Sequence, residues 1–212
     1  MSEEVVTLPH YWEDAVAALR AADPLLAAVI DRFPNVSLRG RGDAYQTLAR
    51  SIVGQQISVK AADSVWNRFM AEMGGTLDSQ RLLDTEIERL RACGLSGRKV
   101  EYLRDLSAHH VAGRLDLALW QTWDDEQIIK ELVSIRGIGR WTAEMFLMFC
   151  MLRPNVLPLA DIGVINAIAQ LYNANERLDA AAMRVLAEKW HPYCSVATWY
   201  LWRSLEAVPV KY

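Results

Sequence analysis

Apolar residues recur along this chain with the 3.6-residue period of α-helices, and almost no segment alternates between apolar and polar positions. This pattern predicts an all-α fold of roughly nine to eleven helices joined by short connectors. Residues 156–159 suggest a short extended piece, but Pro158 argues against a central strand. The helical segments are residues 10–33 as a pair, 44–53, 60–73, 76–90 as short helices, 100–110, 115–123, 124–133, 141–151, 162–172, 179–190 and 195–205.

Several helix starts carry recognisable capping signals. Asp23 followed by Pro24 predicts that one helix ends and the next begins, because proline suits the first position of a helix. Asp43 and Asp179 are placed as caps in the same way. Gly54 lies inside a helical pattern and costs about 1 kcal/mol there relative to alanine, so a break or bend is expected.

A glycine hairpin, Gly137-Ile138-Gly139, separates two of the predicted helices. Two glycines around one apolar residue permit a positive φ and a close approach of the backbone. The next helix begins directly afterwards, and the amide N–H groups of a helix start can hold a phosphate without basic side chains. Such contacts do not depend on base identity, so they position DNA rather than read its sequence. An ordinary turn between two helices is the alternative for this segment alone.

Composition narrows the class of protein. The chain has 212 residues, is 52% apolar and 23% charged, and carries a formal net charge of −3. This charge argues weakly against a nucleic-acid partner, although a basic face can coexist with an acidic one. The three cysteines form no C-x-x-C pair, which supports neither a zinc knuckle nor an iron–sulfur cluster. The eight tryptophans suggest that some line a pocket rather than fill the core.

Four sequence segments together point to one family. They are residues 51–58 (SIVGQQIS), 132–144 (LVSIRGIGRWTAE), 158–161 (PLAD) and 190–203 (WHPYCSVATWYLWR). In this order they resemble the helix-hairpin-helix DNA glycosylases of the endonuclease III superfamily, and within them the 3-methyladenine DNA glycosylase II (AlkA-type) branch. The resemblance extends over about residues 10–205. The chain is expected to be a compact form of this branch, without the N-terminal β lobe.

The resemblance implies a helix-hairpin-helix glycosylase fold with two helical lobes flanking an active-site cleft. The expected organisation is a single domain of two interleaved lobes. One lobe comprises about residues 1–35 plus 152–212. The other comprises about residues 36–151 and includes the hairpin at 133–141.

The resemblance makes Asp161 the catalytic residue. Cleavage of an N-glycosidic bond builds positive charge on the sugar, and a carboxylate in a dry site stabilises that charge or activates water. Asp161 directly precedes a predicted helix, so it also suits the N-cap position. It can serve as both the catalytic residue and the cap. Trp141 replaces the lysine that strand-nicking members use to form a Schiff base. The expected enzyme is therefore monofunctional and leaves an abasic site intact.

Trp141 and Trp202 match aromatic positions that line the pocket for the flipped base, and core packing is the alternative for both. Aromatic faces attract cationic methylated bases. Met145 and Ile162 fall at further pocket positions and are smaller than in the inducible bacterial enzyme. Gln56 matches the wedge that fills the duplex when the base leaves; an ordinary glutamine at a helix bend is the alternative.

The hairpin completes the expected site. The positions that would hold the DNA backbone are Gly137, Gly139, Thr142 and Arg140. In the family, hairpin carbonyls matching those of Val133, Ile135 and Ile138 bind a monovalent cation, so a structural Na⁺ or K⁺ is expected here. No cofactor is expected to be required.

The expected function is removal of alkylated bases, such as 3-methyladenine or 7-methylguanine, from damaged double-stranded DNA in base excision repair. The alternative is a catalytically inactive helix-hairpin-helix module that only binds DNA. A monomer is expected. No apolar run is long enough to span a bilayer, and the acidic start at Glu3 and Glu4 is unlike a signal peptide. The expected location is the cytoplasm, in association with the nucleoid.

Overall fold

The computed structural model describes residues 8–34, 36–40 and 43–205. These residues form thirteen α-helices and one 3-10 helix, and the all-α fold predicted from the sequence is confirmed. The α-helices are α1 (Trp12–Ala22), α2 (Pro24–Arg32), α3 (Ala44–Gly54), α4 (Val59–Glu72), α5 (Ser79–Asp84), α6 (Ile87–Ala92), α7 (Gly97–Val111), α8 (Leu117–Trp120), α9 (Asp125–Val133), α10 (Arg140–Phe149), α11 (Ile162–Tyr172), α12 (Ala180–Ala187) and α13 (Cys194–Leu205), and the 3-10 helix is Glu188–Trp190.

The described residues contain thirteen α-helices where roughly nine to eleven were predicted, and several predicted helix ends differ. The short helices predicted over 76–90 are α5 and α6, which extended backbone at Thr85 separates. The helix predicted at residue 100 begins at Gly97, where the Ser96 hydroxyl accepts the Lys99 N–H at 3.3 Å. The helix predicted over 179–190 ends as an α-helix at Ala187 and continues as the 3-10 turn. Residues 156–159, all described, have irregular backbone rather than a strand.

The predicted aspartate caps are confirmed. Asp43 accepts the Gln46 N–H, and Asp179 accepts the Ala182 N–H at 2.8 Å. Asp161 accepts the Val164 N–H at 2.8 Å and so caps α11. Each bond satisfies an amide that the first turn of a helix leaves without a carbonyl partner.

The chain packs into two compact units, one of Met1–Gly42 with Leu147–Tyr212 and one of Asp43–Phe146. The first boundary follows residue 42, and the second falls inside α10. The sequence suggested boundaries near residues 35 and 152.

The core of the first unit is rich in aromatic residues around a buried carboxylate. Trp12 of α1 meets Trp199 of α13 edge to face, with ring centroids 5.5 Å apart. Asp23 is fully buried and caps α2. Its Oδ2 accepts the Trp190 Nε1–H at 2.8 Å and the Tyr172 hydroxyl at 2.7 Å. This carboxylate therefore ties the start of α2 to the end of α11 and to the 3-10 helix.

The core of the second unit is mainly aliphatic and surrounds α7. Residues of α3, α4, α7 and α9 supply fully buried side chains, and Trp120 meets Phe146 edge to face at 5.9 Å. The fully buried members include Leu48, Ile52, Phe69, Leu103, Leu106, Ile128 and Leu132. Because α7 is central, its polar side chains are available to brace the hairpin. Within the described part of the chain, no helix combines the length and apolar character needed to cross a bilayer.

Candidate active site

Asp161 lies at the junction of an irregular segment and α11. Its backbone N–H bonds to the Pro158 carbonyl at 2.9 Å, and its own carbonyl accepts the Ile165 N–H at 2.9 Å. The preceding segment is held by Ser195 of α13, whose hydroxyl accepts the Val156 N–H at 2.9 Å and donates to the Arg153 carbonyl at 2.5 Å. A fully buried serine thus fixes the chain that carries Asp161.

The Asp161 carboxylate is buried, with 5% of the residue exposed. Its Oδ1 atom accepts two hydrogen bonds, from the Val164 N–H and from Trp202 Nε1–H, each at 2.8 Å. Hydrogen bonds to a carboxylate are charge-assisted and stronger than neutral ones. Two donors on one oxygen fix the rotation of the carboxyl group, so its negative charge has a defined position.

The Trp202 indole is itself held in place. It is 4% exposed and stacks on the half-buried Phe149, with centroids 6.0 Å apart and planes 15° from parallel. A Cβ atom at position 163 would lie 2.8 Å from Trp202 Cδ1 and 3.0 Å from Asp161 Oδ1. Gly163 therefore leaves the space in which the indole reaches the carboxylate. The sequence analysis gave Phe149 no role, since an apolar residue in an apolar helix looks like core.

The other predicted pocket residues differ in exposure. Trp141, at the start of α10, is 40% exposed, so its ring is not simply core. Met145, one turn later in the second unit, is buried. Ile162, the first residue of α11 in the first unit, is largely exposed.

In the second unit, the hairpin is closed by the Ile138 N–H, which bonds to the Ile135 carbonyl at 3.1 Å. Gly137 has φ +84°, and a Cβ there would collide with the ring of Tyr102 on α7. Glycine is therefore required both by the backbone conformation and by the close approach of Tyr102. The Gly139 carbonyl accepts the Ala143 N–H at 3.0 Å, which begins α10. This helix start offers amide donors and the positive end of a helix dipole.

Side chains from elsewhere in the second unit also brace the hairpin. Asp105 of α7 accepts the Arg136 backbone N–H at 2.8 Å. Gln55 donates its side-chain amide to the Gly137 carbonyl at 2.8 Å. The sequence did not predict that Tyr102, Asp105 and Gln55 contact the hairpin. No spacing rule links residues that lie so far apart along the chain.

Two predicted DNA-holding side chains are less available than expected. Arg140 pairs with Glu126 through both terminal nitrogens, with Nη1 to Oε2 at 3.0 Å, and its Nε donates to Glu144 at 3.0 Å. Hydrogen bonding from Arg140 lowers the pKa of Glu126, and the Glu126 contact raises the pKa of Arg140. Thr142 is buried. Arg140 is therefore engaged by two carboxylates of the second unit, and Thr142 is largely covered.

The predicted wedge, Gln56, lies in the exposed loop between α3 and α4. Its φ is +59°, a left-handed conformation that is uncommon for residues other than glycine. The loop begins where α3 ends, and Ser58 caps α4 by accepting the Ala61 N–H at 3.3 Å. The break predicted from Gly54 is confirmed, and it presents Gln56 to solvent.

For metal binding, the described residues hold no group of three or more His, Cys, Asp or Glu side chains suited to a metal ion. The predicted cation site depends on backbone carbonyls instead. The Ile135 carbonyl already accepts one amide within the hairpin. A carbonyl oxygen has a second lone pair, so this bond is compatible with an ion.

A family model described as HhH-GPD superfamily base excision DNA repair protein matches residues 49–192. The Bacillus subtilis protein YfjP is 34% identical over 188 residues, 85% of this chain and 66% of that protein, so the chain spans about two thirds of its length. DNA-3-methyladenine glycosylase 1 of Schizosaccharomyces pombe is 29% identical over 206 residues, covering 95% of this chain and 90% of that protein.

Solved structures show the same relationship. The chain is similar to a DNA-3-methyladenine glycosidase from Bacillus halodurans, with a TM-score of 0.83 and 35% identity over 91% of this chain and 89% of that one. It is also similar to the S. pombe 3-methyladenine DNA glycosylase Mag1 in complex with abasic DNA. That TM-score is 0.77, with 29% identity over 93% of this chain and 100% of that one.

Proposed function

We propose that this chain, which belongs to the HhH-GPD superfamily of base excision DNA repair proteins, is a DNA glycosylase that removes alkylated bases. The relatives named as DNA-3-methyladenine glycosylases support this substrate class. The single observation that carries the proposal is the buried Asp161 carboxylate, oriented by Trp202 and by the first turn of α11.

The geometry suits hydrolysis of an N-glycosidic bond. When the bond between the sugar and the base lengthens, positive charge develops on the deoxyribose. A carboxylate already fixed in a water-poor site stabilises that charge without reorganising. Water then adds to the sugar carbon, and its proton is released. A cationic methylated purine leaves as a neutral base with the bonding electron pair, so no protein acid is required for departure.

Aromatic faces suit the proposed substrate. An alkylated purine is electron-poor, and each aromatic contact with a cation contributes about 0.5–2 kcal/mol. In the first unit the stacked rings of Trp202 and Phe149 stand beside Asp161. In the second unit Trp141 offers an exposed ring. We assign these rings, with Met145 and Ile162, to recognition of the flipped base.

DNA is proposed to be held through its backbone by the hairpin. The helix start after Gly139 supplies amide donors, and Gly137 permits close approach. The complex of Mag1 with abasic DNA supports a DNA partner. Gln56, exposed at a loop tip, is assigned to filling the stack after the base leaves. The carbonyls of Val133, Ile135 and Ile138 would bind a Na⁺ or K⁺ ion. The ion would neutralise phosphate charge of the DNA backbone at this turn.

The proposed enzyme leaves the DNA strand uncut. Trp141 stands where strand-nicking members of the family are expected to carry the lysine that attacks the sugar, and an indole forms no Schiff base. Borohydride treatment of a reaction in progress should therefore trap no covalent protein–DNA adduct. A trapped adduct would contradict this part of the proposal. The protein is further proposed to act as a monomer, in the cytoplasm and near the nucleoid.

The decisive experiment is to incubate the purified protein with DNA treated with a methylating agent and to identify released bases by chromatography. Release of free 3-methyladenine or 7-methylguanine is the expected result. Binding of the duplex with no release of any base would instead favour the second candidate, a helix-hairpin-helix module that binds DNA without catalysis.

A further inference from the structure

We propose that Gln55 is a positioning residue that fixes the wedge Gln56 relative to the hairpin that holds the DNA backbone. The inference rests on the glycosylase function proposed above and assigns a role to a residue beside the wedge. Two neighbouring glutamines then have different tasks: Gln56 faces solvent at the loop tip, whereas Gln55 is half-buried.

The observation is one hydrogen bond across 82 residues of sequence. Nε2 of Gln55 donates to the Gly137 carbonyl oxygen at 2.8 Å. Gly137 is the hairpin residue whose positive φ and contact with Tyr102 exclude any side chain. The bond therefore joins the residue before the wedge to the centre of the proposed DNA grip.

Both ends of this bond are anchored independently. On the wedge side, the Gln55 N–H bonds to the Ile52 carbonyl at 3.3 Å, and Lys99 of α7 donates to the Val53 carbonyl at 2.8 Å. Burial lowers the pKa of the Lys99 ammonium, which is turned inward to cap α3. These contacts hold the end of α3 without help from the hairpin.

On the hairpin side, Asp105 accepts the Arg136 N–H and the Tyr102 ring packs against Gly137. The hairpin is thus supported from α7 whether or not Gln55 is present. Because each end has its own support, the Gln55 bond is not needed to build either one. What it adds is a fixed spacing between them.

This spacing matters for base flipping. The hairpin fixes the protein on the phosphate backbone, and the wedge must enter the stack at one step of the duplex. If the loop can shift relative to the hairpin, binding persists but the wedge fills the vacated space less well. The flipped state then becomes less populated. A side-chain amide suits the task, because it donates to a carbonyl without introducing a charge.

The test compares wild type with Gln55→Leu, which keeps the approximate size of the side chain and removes the donor. Single-turnover base release and DNA affinity are measured on two duplexes with one 7-methylguanine each. In one duplex the lesion pairs with cytosine, and in the other it faces an abasic-site analogue. Opening the second costs less, because the lesion has no pairing partner.

We expect Gln55→Leu to slow release from the paired duplex about tenfold, the loss typical of one partly buried hydrogen bond. Release from the unpaired duplex and the DNA dissociation constant should each stay within about twofold of wild type, since chemistry and grip are intact. Gln55→Glu replaces the amide donor with a carboxylate, which cannot donate to the Gly137 carbonyl. It should likewise slow release from the paired duplex alone. Gln80→Leu, at an exposed glutamine of α5 that bonds only to Asp84 in the described contacts, is the matched control and should behave as wild type.

Other patterns overturn the inference. Equally slower base release from both duplexes would show that Gln55 merely supports the fold. Weaker DNA binding alone would show that it merely supports the hairpin's hold on the DNA backbone. Wild-type rates for both Gln55 variants would show that it has no role. If the wild type itself releases no methylated base, the proposed function fails and this inference with it. An active wild type with unaffected variants rejects the inference alone.

Discussion

The indole nitrogen of Trp202 donates a hydrogen bond to Oδ1 of Asp161 at 2.8 Å, and both residues are buried. The bond joins α13 to the residue that caps α11, across 41 residues of sequence. Trp202 thus has two properties in one side chain: a flat face that stacks on Phe149 and an edge that orients the carboxylate. An aromatic residue without an N–H would keep only the first.

Replacing Trp202 with phenylalanine separates these properties. Trp202→Phe keeps an aromatic face but leaves Asp161 with one donor fewer, so its carboxylate is less firmly oriented. We expect kcat for base release to fall about tenfold, the effect of losing one hydrogen bond to a charged group. The DNA dissociation constant should change little. Single-turnover kinetics with a binding isotherm measure both quantities.

The matched control is Trp199→Phe in the same helix. Trp199 is also buried and meets Trp12 and Tyr200, so its replacement removes a similar amount of packing. It should lose stability but retain kcat. Equal losses of kcat in the two variants would show that packing, and not the bond to Asp161, limits the reaction.

Gly163→Ala tests the space between the carboxylate and the indole. The added methyl would lie 2.8 Å from Trp202 Cδ1 and 3.0 Å from Asp161 Oδ1, so one of the two must move. Small displacements of catalytic groups cost up to about 100-fold in rate, and we expect a loss of that order. Gly97→Ala is the control, because no atom lies within 4 Å of its added Cβ. An active Gly163→Ala enzyme would contradict the proposed geometry.

Glu126→Gln tests whether Arg140 is restrained from meeting DNA. Glu126 holds two nitrogens of the Arg140 guanidinium, although its own side chain is mostly exposed. Removing its charge releases part of Arg140 for a phosphate. We expect about threefold tighter DNA binding at low salt and a salt dependence steeper by about one ion.

The control for this change is Glu176→Gln, which alters net charge equally at an exposed site in the other unit. If both variants tighten binding to the same extent, the effect belongs to net charge. If neither does, Arg140 does not contact DNA.

Asp23→Asn tests the acid stability of the first unit. Burial opposes ionisation of this carboxyl, but hydrogen bonds from Trp190, Tyr172 and the Leu26 amide, with that from Lys189, outweigh burial and lower its pKa. A lowered folded pKa stabilises the protein above the unfolded value of about 3.9 and loses that contribution as the pH falls through the folded pKa.

We therefore expect Asp23→Asn to cost about 3 kcal/mol at pH 7, as a buried charge network is broken. The difference between variant and wild type should shrink steadily below about pH 4. Denaturant unfolding of both proteins between pH 7 and pH values below about 4 measures this difference in the free energy of unfolding. A difference independent of pH would show that the carboxylate charge contributes nothing to stability.

Local rules predicted the parts of the site that lie close together along the chain. The glycine hairpin, the break at Gly54 and the cap at Asp161 each follow from backbone preferences within a few residues. The family resemblance added Trp202 as an aromatic pocket residue. It did not reveal that the Trp202 edge bonds to Asp161, since this depends on how α13 packs against α11.

Long-range polar contacts were beyond sequence reasoning. The bond from Gln55 to Gly137 and that from Asp105 to the Arg136 amide span 82 and 31 residues, and no periodicity encodes either. Arg140 looked like a phosphate ligand because it follows the hairpin, but the structure pairs it with Glu126 from the preceding helix. Phe149 has the apolar character of its helix, so its stacking on Trp202 could not be predicted from the sequence.

The central claim is that Asp161 drives base removal without cutting the strand. The most direct measurement uses an end-labelled duplex with one methylated purine, incubated with wild type or Asp161→Asn and analysed before and after alkali. Wild type should give no strand break until alkali cleaves the abasic site, and Asp161→Asn should give no break in either case while still binding the duplex. Alkali-sensitive sites produced by Asp161→Asn at the wild-type rate would contradict the account.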